Sequence, residues 1–237
     1  MKKGIVSTGS KEATQAGVDV LYAGGNAFDA AIASVFASMT SEFALTGVGG
    51  GGAMMCHKIG HNPIIYDFFV DTPPVLDNKD LDFFGIDVDF GDSMQKFHIG
   101  KGSVAVPGTL LGLLTVHRKY GLLPLSIILE PAIELAKKGT LLSKEQAYVF
   151  KILDPIFSHS KEGKKLFYLN GKLLKEGEIF NNPDFASFLE RVSKEGSDFF
   201  YLNDGATLIV DFFSDGGLLT RSLLKNYYVA MREPVKT

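Results

Sequence analysis

Five glycines crowd into six positions, Gly47-Val48-Gly49-Gly50-Gly51-Gly52, between a run of small residues with helical spacing and Ala53-Met54-Met55-Cys56, which suits a strand. This run restricts the fold more than any other feature. It has almost no side chain to bury and the largest conformational entropy to lose, so it belongs where backbone passes close to backbone or adopts positive φ. Gly47, Gly49 and Gly52 also match G-x-G-x-x-G, and Asp67 follows at about the twenty-residue distance of a ribose-binding acid in a dinucleotide fold. That fingerprint must follow a strand and open a helix, and here the order is reversed. A phosphate-binding P-loop fails too, because no Lys-Ser or Lys-Thr follows the glycines. We read the run as a crowded structural junction.

The flanking segments support that reading. Ala13, Ala16, Val20 and Leu21 fall at helical spacing over 11–23, and Gly24-Gly25 supplies a stop. Asn26 is an N-cap with Asp29 three positions on, and Ala27, Ala30, Ala31, Ser34, Val35 and Ser38 form a face of small residues, which predicts a closely packed second helix. After the glycines, 53–58 and 63–69 read as strands joined around Gly60-His61-Asn62, a hairpin at the centre of a sheet. Beyond Pro73, Asp77, Asp80, Asp82, Asp87, Asp89 and Asp92 crowd a segment of mixed periodicity that reads as a solvated surface loop. Its carboxylates lack the EF-hand order of ligands with glycine and a closing glutamate, so they are not assigned to calcium. The remainder reads as mainly helical over 108–120, 126–138, 143–153, 183–195 and 204–213, with a short strand near 227–231. The expectation is one domain over 1–237, with a sheet-rich core (1–72), an acidic excursion (73–104) and a mainly helical rear section (105–237).

Composition removes several function classes. A net charge of −3 over 237 residues exerts no global pull toward nucleic acid. Apolar stretches break well before the roughly 18 residues of a membrane span. Met1-Lys2-Lys3-Gly4 leads directly into Ile5-Val6-Ser7 without an apolar leader, and the single Cys56 suits a reducing compartment, so the expected location is cytoplasmic; a periplasmic or secreted destination stays open if a leader was removed. Cys56 itself reads as a small core hydrophobe. The histidines, His57, His61, His98, His117 and His159, have no metal-binding spacing; His117, beside Arg118 and Lys119, reads as a helix-face residue, and no G-x-S-x-G elbow occurs.

An ordered set of strings nevertheless resembles the large subunit of gamma-glutamyltranspeptidases. It begins with Ala13-Thr14-Gln15-Ala16-Gly17 and Gly24-Gly25-Asn26-Ala27-Phe28-Asp29-Ala30-Ala31, and continues through the glycine run to Val104-Ala105-Val106-Pro107-Gly108. His117-Arg118-Lys119-Tyr120-Gly121 and Glu130-Pro131-Ala132-Ile133-Glu134-Leu135-Ala136 follow. Asn182-Pro183-Asp184-Phe185-Ala186, the stretch 196–201, Gly216-Gly217-Leu218-Leu219-Thr220 and Asn226-Tyr227 to Arg232-Glu233-Pro234 complete it. Each string is weak alone. Together, in order and across nearly the whole chain, they are specific.

The resemblance implies an α+β fold, the αββα sandwich of N-terminal-nucleophile hydrolases, of which this chain supplies the large-subunit portion. It implies a precursor that cuts itself to expose a threonine, whose own α-amino group serves as base while its hydroxyl attacks a γ-glutamyl amide such as that of glutathione. Water or an amine then takes the acyl group. No catalytic residue is expected in this chain, no cofactor or metal is called for, and the partner is a small catalytic subunit or the remainder of the precursor. Thr237 closes a stretch that resembles large-subunit interior and is not assigned as nucleophile. One departure bears on substrate. Where the family carries an arginine that clamps the glutamyl α-carboxylate, this sequence reads Asp67-Phe68-Phe69-Val70-Asp71, with Phe69 at the arginine's place and Val70 the alternative. A phenyl ring cannot imitate the planar two-point fork of a guanidinium. Either another residue supplies the positive charge or the acyl group differs; Phe69 is the candidate substrate-binding residue, suited to a less polar acyl chain, with core filling as its other role. A non-catalytic scaffold subunit, or an acylase of altered specificity, are the alternative readings.

Overall fold

The computed structural model describes residues 4–74 and 80–235; Lys2, Lys3, Asp77 and Thr237 lie outside the described residues. Helix α1 (Lys11–Tyr22) starts where Ser10 accepts a hydrogen bond from the Ala13 amide, and α2 (Ala27–Ser41) starts at a capping box formed by Asn26 and Asp29. The two helices pack closely because their facing residues are small. A Cβ on Gly17 would lie 2.4 Å from Ser34 Oγ and 3.2 Å from the Ala30 carbonyl oxygen.

After the glycine run, β1 (Gly52–Cys56) and β2 (Ile64–Phe68) form the expected antiparallel hairpin, and β9 (Ala230–Arg232) adds to β2, giving the order β1-β2-β9. All strand pairs among the described residues are antiparallel and a strand follows the glycines, so the geometry of a dinucleotide fold is absent here. The acidic stretch differs from the solvated loop expected for it. It holds β3 (Phe84–Asp89) and β4 (Met94–Ile99), paired in full register, with Val88 buried. Phe84, Ile86 and Val88 alternate with Gly85, Asp87 and Asp89, so the carboxylates occupy the outward positions of a strand. Asp89 accepts from the Gly91 amide in the turn, and a 3₁₀ turn at Lys101–Ser103 closes the excursion.

Helix α3 (Thr109–Tyr120) runs behind the sheet, followed by α4 (Leu125–Lys138), β5 (Thr140–Leu141) and α5 (Lys144–Phe157), which continues past the expected end at 153. Sequence reasoning did not anticipate α6 (Lys161–Phe167), the small hairpin β6 (Tyr168–Leu169) and β7 (Lys172–Leu173), or β8 (Ile179–Phe180), which pairs with β5. Helix α7 (Pro183–Glu195) matches its expected bounds, and α8 (Asp198–Tyr201), α9 (Asp204–Phe212) and α10 (Arg221–Asn226) lead to β9, which begins later than expected. One core joins α1, α2, α3, α4 and α7 to the inner face of the sheet through residues such as Phe36, Tyr66, Leu110, Leu129 and Leu189. A smaller cluster of Leu142, Phe150, Phe167, Leu174 and Phe180 lies under α5 and α6.

Asp29 explains why the Asn26-to-Asp29 string matters. Its carboxylate is fully buried and accepts from the amides of Asn26 (3.0 Å) and Leu122 (3.1 Å), while Asn26 Nδ2 donates to the Tyr120 carbonyl at 2.6 Å. The start of α2 is thereby fastened to the end of α3.

Candidate functional site

The candidate site is the ledge at the C-terminal end of β2, where Phe69 follows the last paired residue. The glycine run is what brings other backbone to it. A Cβ on Gly51 would stand 2.6 Å from the Val70 nitrogen and 2.9 Å from the Phe68 oxygen, so only glycine fits. No residue of the run has positive φ, and Gly47 and Gly49 face open space; close approach, and not a left-handed backbone, is the reason for Gly51. The Gly50 carbonyl accepts from the amides of Gly108 (2.9 Å) and Thr109 (3.1 Å), filling the place of a side-chain cap at the start of α3. Gly112, one turn into α3, lies where a Cβ would fall 2.1 Å from the Phe68 ring. The glycines thus join β1, β2 and α3 around one residue.

Two hydrogen bonds fix the Phe69 backbone. Tyr227 Oη donates to the Phe69 carbonyl at 2.7 Å, and the Phe69 amide donates to Asp67 Oδ1 at 3.1 Å. Asp71 and Val106 exchange both amide-to-carbonyl bonds just beyond. Burial, with smaller contributions from Asp71 and Asp67, pushes the Tyr227 phenol up to about 12. Its ring stacks at 6.1 Å on Tyr201, whose hydroxyl donates to the Pro107 carbonyl at 2.8 Å; burial raises that phenol as well. Asp67 Oδ2 is 2.6 Å from Arg232 Nε, and this bond, followed by the one from the Phe69 amide, holds the carboxyl below its usual range. Asp67 therefore serves the ledge, in place of the ribose contact the glycine pattern raised.

The Phe69 side chain is 68% exposed. Among the described residues the ring packs into no core; it projects from a fixed backbone into the open. Other residues singled out in the sequence lie elsewhere. Cys56 is buried in the core and burial pushes its thiol up to about 11, as suits a small hydrophobe. His117 lies on α3 with Nε2 2.9 Å from the Leu123 carbonyl, while His98 stacks on Phe83 and His159 packs on Phe84. Among the described residues no group of three or more His, Cys, Asp or Glu could hold a metal ion. Among the described residues no helix is long and apolar enough to cross a membrane.

Tyr227, Arg232 and Gly108 are the residues that sequence reasoning placed only inside resembling strings, without a role. Their common signal was weak, because a phenol reaching back across 158 residues to a carbonyl leaves no local pattern. The ledge positions an aromatic wall; its hydroxyl and carboxylate are committed to holding backbone.

A family model described as Gamma-glutamyltranspeptidase matches residues 13–237. The chain is 35% identical over 239 residues to glutathione hydrolase proenzyme 1 of Schizosaccharomyces pombe, covering 99% of this chain and 36% of that protein. It is 30% identical to the acylase ACY 1 proenzyme of Pseudomonas sp. (strain SE83), covering 99% of this chain and 42% of the relative. The crystal structure of Helicobacter pylori gamma-glutamyltranspeptidase superposes with a TM-score of 0.84 at 30% identity, over 99% of this chain and 67% of that one. The chain thus spans well under half the length of these curated relatives. Matched from residue 13 to its last residue, with the mixed α and β architecture of the N-terminal-nucleophile hydrolases, the chain belongs to the gamma-glutamyltranspeptidase family and is a portion of its large subunit.

Proposed function

We propose that this chain serves a gamma-glutamyltransferase-like amidohydrolase that cleaves γ-glutamyl amides such as glutathione, with the N-terminal threonine nucleophile carried on a separate, self-liberated catalytic portion. The observation that carries this reading is the family match over residues 13–237. The open face of the β1-β2-β9 sheet supports it, since a sandwich of two sheets needs a second sheet against this one. In that assembly the chain forms one wall of the site through the Phe69 ledge, and the catalytic portion is its partner. The lone buried Cys56 favours a reducing, cytoplasmic setting. The test is co-expression with the downstream coding sequence, followed by an assay of γ-glutamyl-p-nitroanilide turnover. Self-cleavage and an acyl-enzyme are expected; their absence in a folded product sinks the reading and leaves a non-catalytic scaffold.

A second reading concerns the acyl group, and the exposed Phe69 ring favours it. With phenyl in place of a guanidinium, the wall suits an acyl chain without an α-carboxylate, as an acylase of altered specificity requires. A side-by-side assay of γ-glutamyl and butyryl p-nitroanilides, the second lacking the α-carboxylate, distinguishes the two: faster butyryl turnover supports the acylase, and faster γ-glutamyl turnover removes it.

A further inference from the structure

Strand β9 brings a cation to the ledge. In an antiparallel sheet, residues directly opposite each other share a face, and successive residues alternate between faces. Tyr66 and Phe68 of β2 are buried in the core, so Ile65 and Asp67 point the other way. Ala53 and Met55 of β1, opposite Asp67 and Ile65, share that side, as does Arg232 of β9, opposite Ile65. This is the open face of the sheet, and Phe69 leaves β2 at its margin.

Arg232 is held on that face by a single contact. Its Nε donates to Asp67 Oδ2 at 2.6 Å, while Asp67 Oδ1 accepts from the Phe69 amide at 3.1 Å. The two oxygens of one carboxylate therefore hold the guanidinium and the ledge side by side. Among the described residues Nη1 and Nη2 make no hydrogen bond, and the Arg232 side chain is 64% exposed against 23% for Asp67. The Nε contact fixes the group and leaves free its outer edge, whose parallel N–H bonds match a carboxylate at two points. A second sheet laid on this face takes the guanidinium out of water with most of its donors unpaired, a cost that a second anion offsets. A γ-glutamyl group carries such an anion, the α-carboxylate at the far end of its acyl chain from the amide that is cut. The Phe69 ring cannot supply the counter-charge, and Arg232 stands one carboxylate away from it.

We propose that Arg232 is a specificity-determining residue that binds the α-carboxylate of the acyl donor, with its two Nη groups on the two carboxylate oxygens and the Phe69 ring beside the methylene chain. The inference rests on the reading of this chain as part of a γ-glutamyl amidohydrolase and names the residue that selects the donor. The test compares the assembled, self-cleaved parent with Arg232→Gln and Arg232→Lys on γ-glutamyl-p-nitroanilide and on 4-aminobutyryl-p-nitroanilide, the same acyl chain without its α-carboxylate. The parent prefers the γ-glutamyl substrate. Arg232→Gln lowers kcat/KM for it about tenfold or more, mainly through KM, and changes the 4-aminobutyryl value less than about twofold. Arg232→Lys keeps a charge and the pairing with Asp67 but not the two-point fork, so it loses about threefold on the γ-glutamyl substrate alone and covers the case in which Arg232→Gln fails to assemble. Equal losses on both substrates, or no loss on either, overturn the inference and leave Arg232 as a support for Asp67. Failure of both variants to assemble overturns it too, because the free nitrogens then meet the partner portion and not the substrate. A self-cleaved parent that cuts neither substrate, or prefers the 4-aminobutyryl one, sinks the γ-glutamyl reading itself and this inference with it.

Discussion

Phe69 is held by its backbone, so its side chain can change without moving the ledge. Tyr227 grips its carbonyl, Asp67 its amide, and Gly51 lies flat against the peptide beside it. Substitution of so exposed a ring should shift stability by no more than about 0.5 kcal/mol. Phe69→Arg is therefore a clean test of the position. A guanidinium there regains charge-assisted hydrogen bonds worth roughly 1.5–3 kcal/mol, which converts to about 10- to 100-fold in kcat/KM for γ-glutamyl-p-nitroanilide in the assembled enzyme. An unchanged ratio of γ-glutamyl to butyryl turnover would remove Phe69 from the substrate wall. Tyr227 gives a prediction in pH. An unfolded phenol titrates near 10, whereas the folded one is pushed up to about 12, so folding favours its protonated form. That contribution is complete below about pH 10 and is lost as pH rises through about 12. Tyr227→Phe costs about 0.5–1.5 kcal/mol below pH 10 through the lost hydrogen bond. The gap in urea midpoint between parent and variant should close between pH 10 and 12; a gap that stays constant contradicts the raised phenol.

At the scale of elements, what begins a helix decides how much a single residue can hold. Asp29, fully buried, closes the capping box that Asn26 opens and also receives the Leu122 amide, so Asp29→Ala loses two hydrogen bonds to a charged group worth roughly 1.5–3 kcal/mol each. Ser143, the exposed N-cap of α5, loses on substitution a cap worth about 0.5–2 kcal/mol. Urea denaturation should place Asp29→Ala well below Ser143→Ala, and equal losses would mean that the α2–α3 fastening contributes nothing. The Asn26 cap made α2 legible in the sequence, and apolar spacing with the Gly24-Gly25 stop made α1 legible. The β3–β4 hairpin was hidden because its carboxylates drew attention from the alternation of Phe84, Ile86 and Val88. The two-residue strands β5 to β8 and the four-residue α8 are too short to carry a period, and tertiary contacts make them. Of the site, the close approach at Gly51 could be read from the glycine run, but the reach of Tyr227 and the pairing of Arg232 with Asp67 could not, because they join residues 158 and 165 positions apart.

At the scale of the whole chain, the decisive fact is that the described residues cover only one face of the central sheet. Tyr66 and Phe68 lie buried between β2 and α3, while Ala53 and Met55 on β1 point the other way, with Met55 66% exposed. A charge placed on a face that stays in water costs little, whereas a charge on a face that a second sheet covers must be desolvated without a partner. Met55→Asp separates these cases. In the chain alone it should leave the urea midpoint within about 0.5 kcal/mol of the parent and reduce self-association, because it interrupts exposed apolar surface. Co-expressed with the downstream portion, the same variant should recover far less assembled, self-cleaved protein than the parent, with Lys58→Asp, on the exposed residues beyond β1, as a control for charge alone. Equal assembly by Met55→Asp and the parent would leave this face in water, and a sandwich built on it would then have no second sheet.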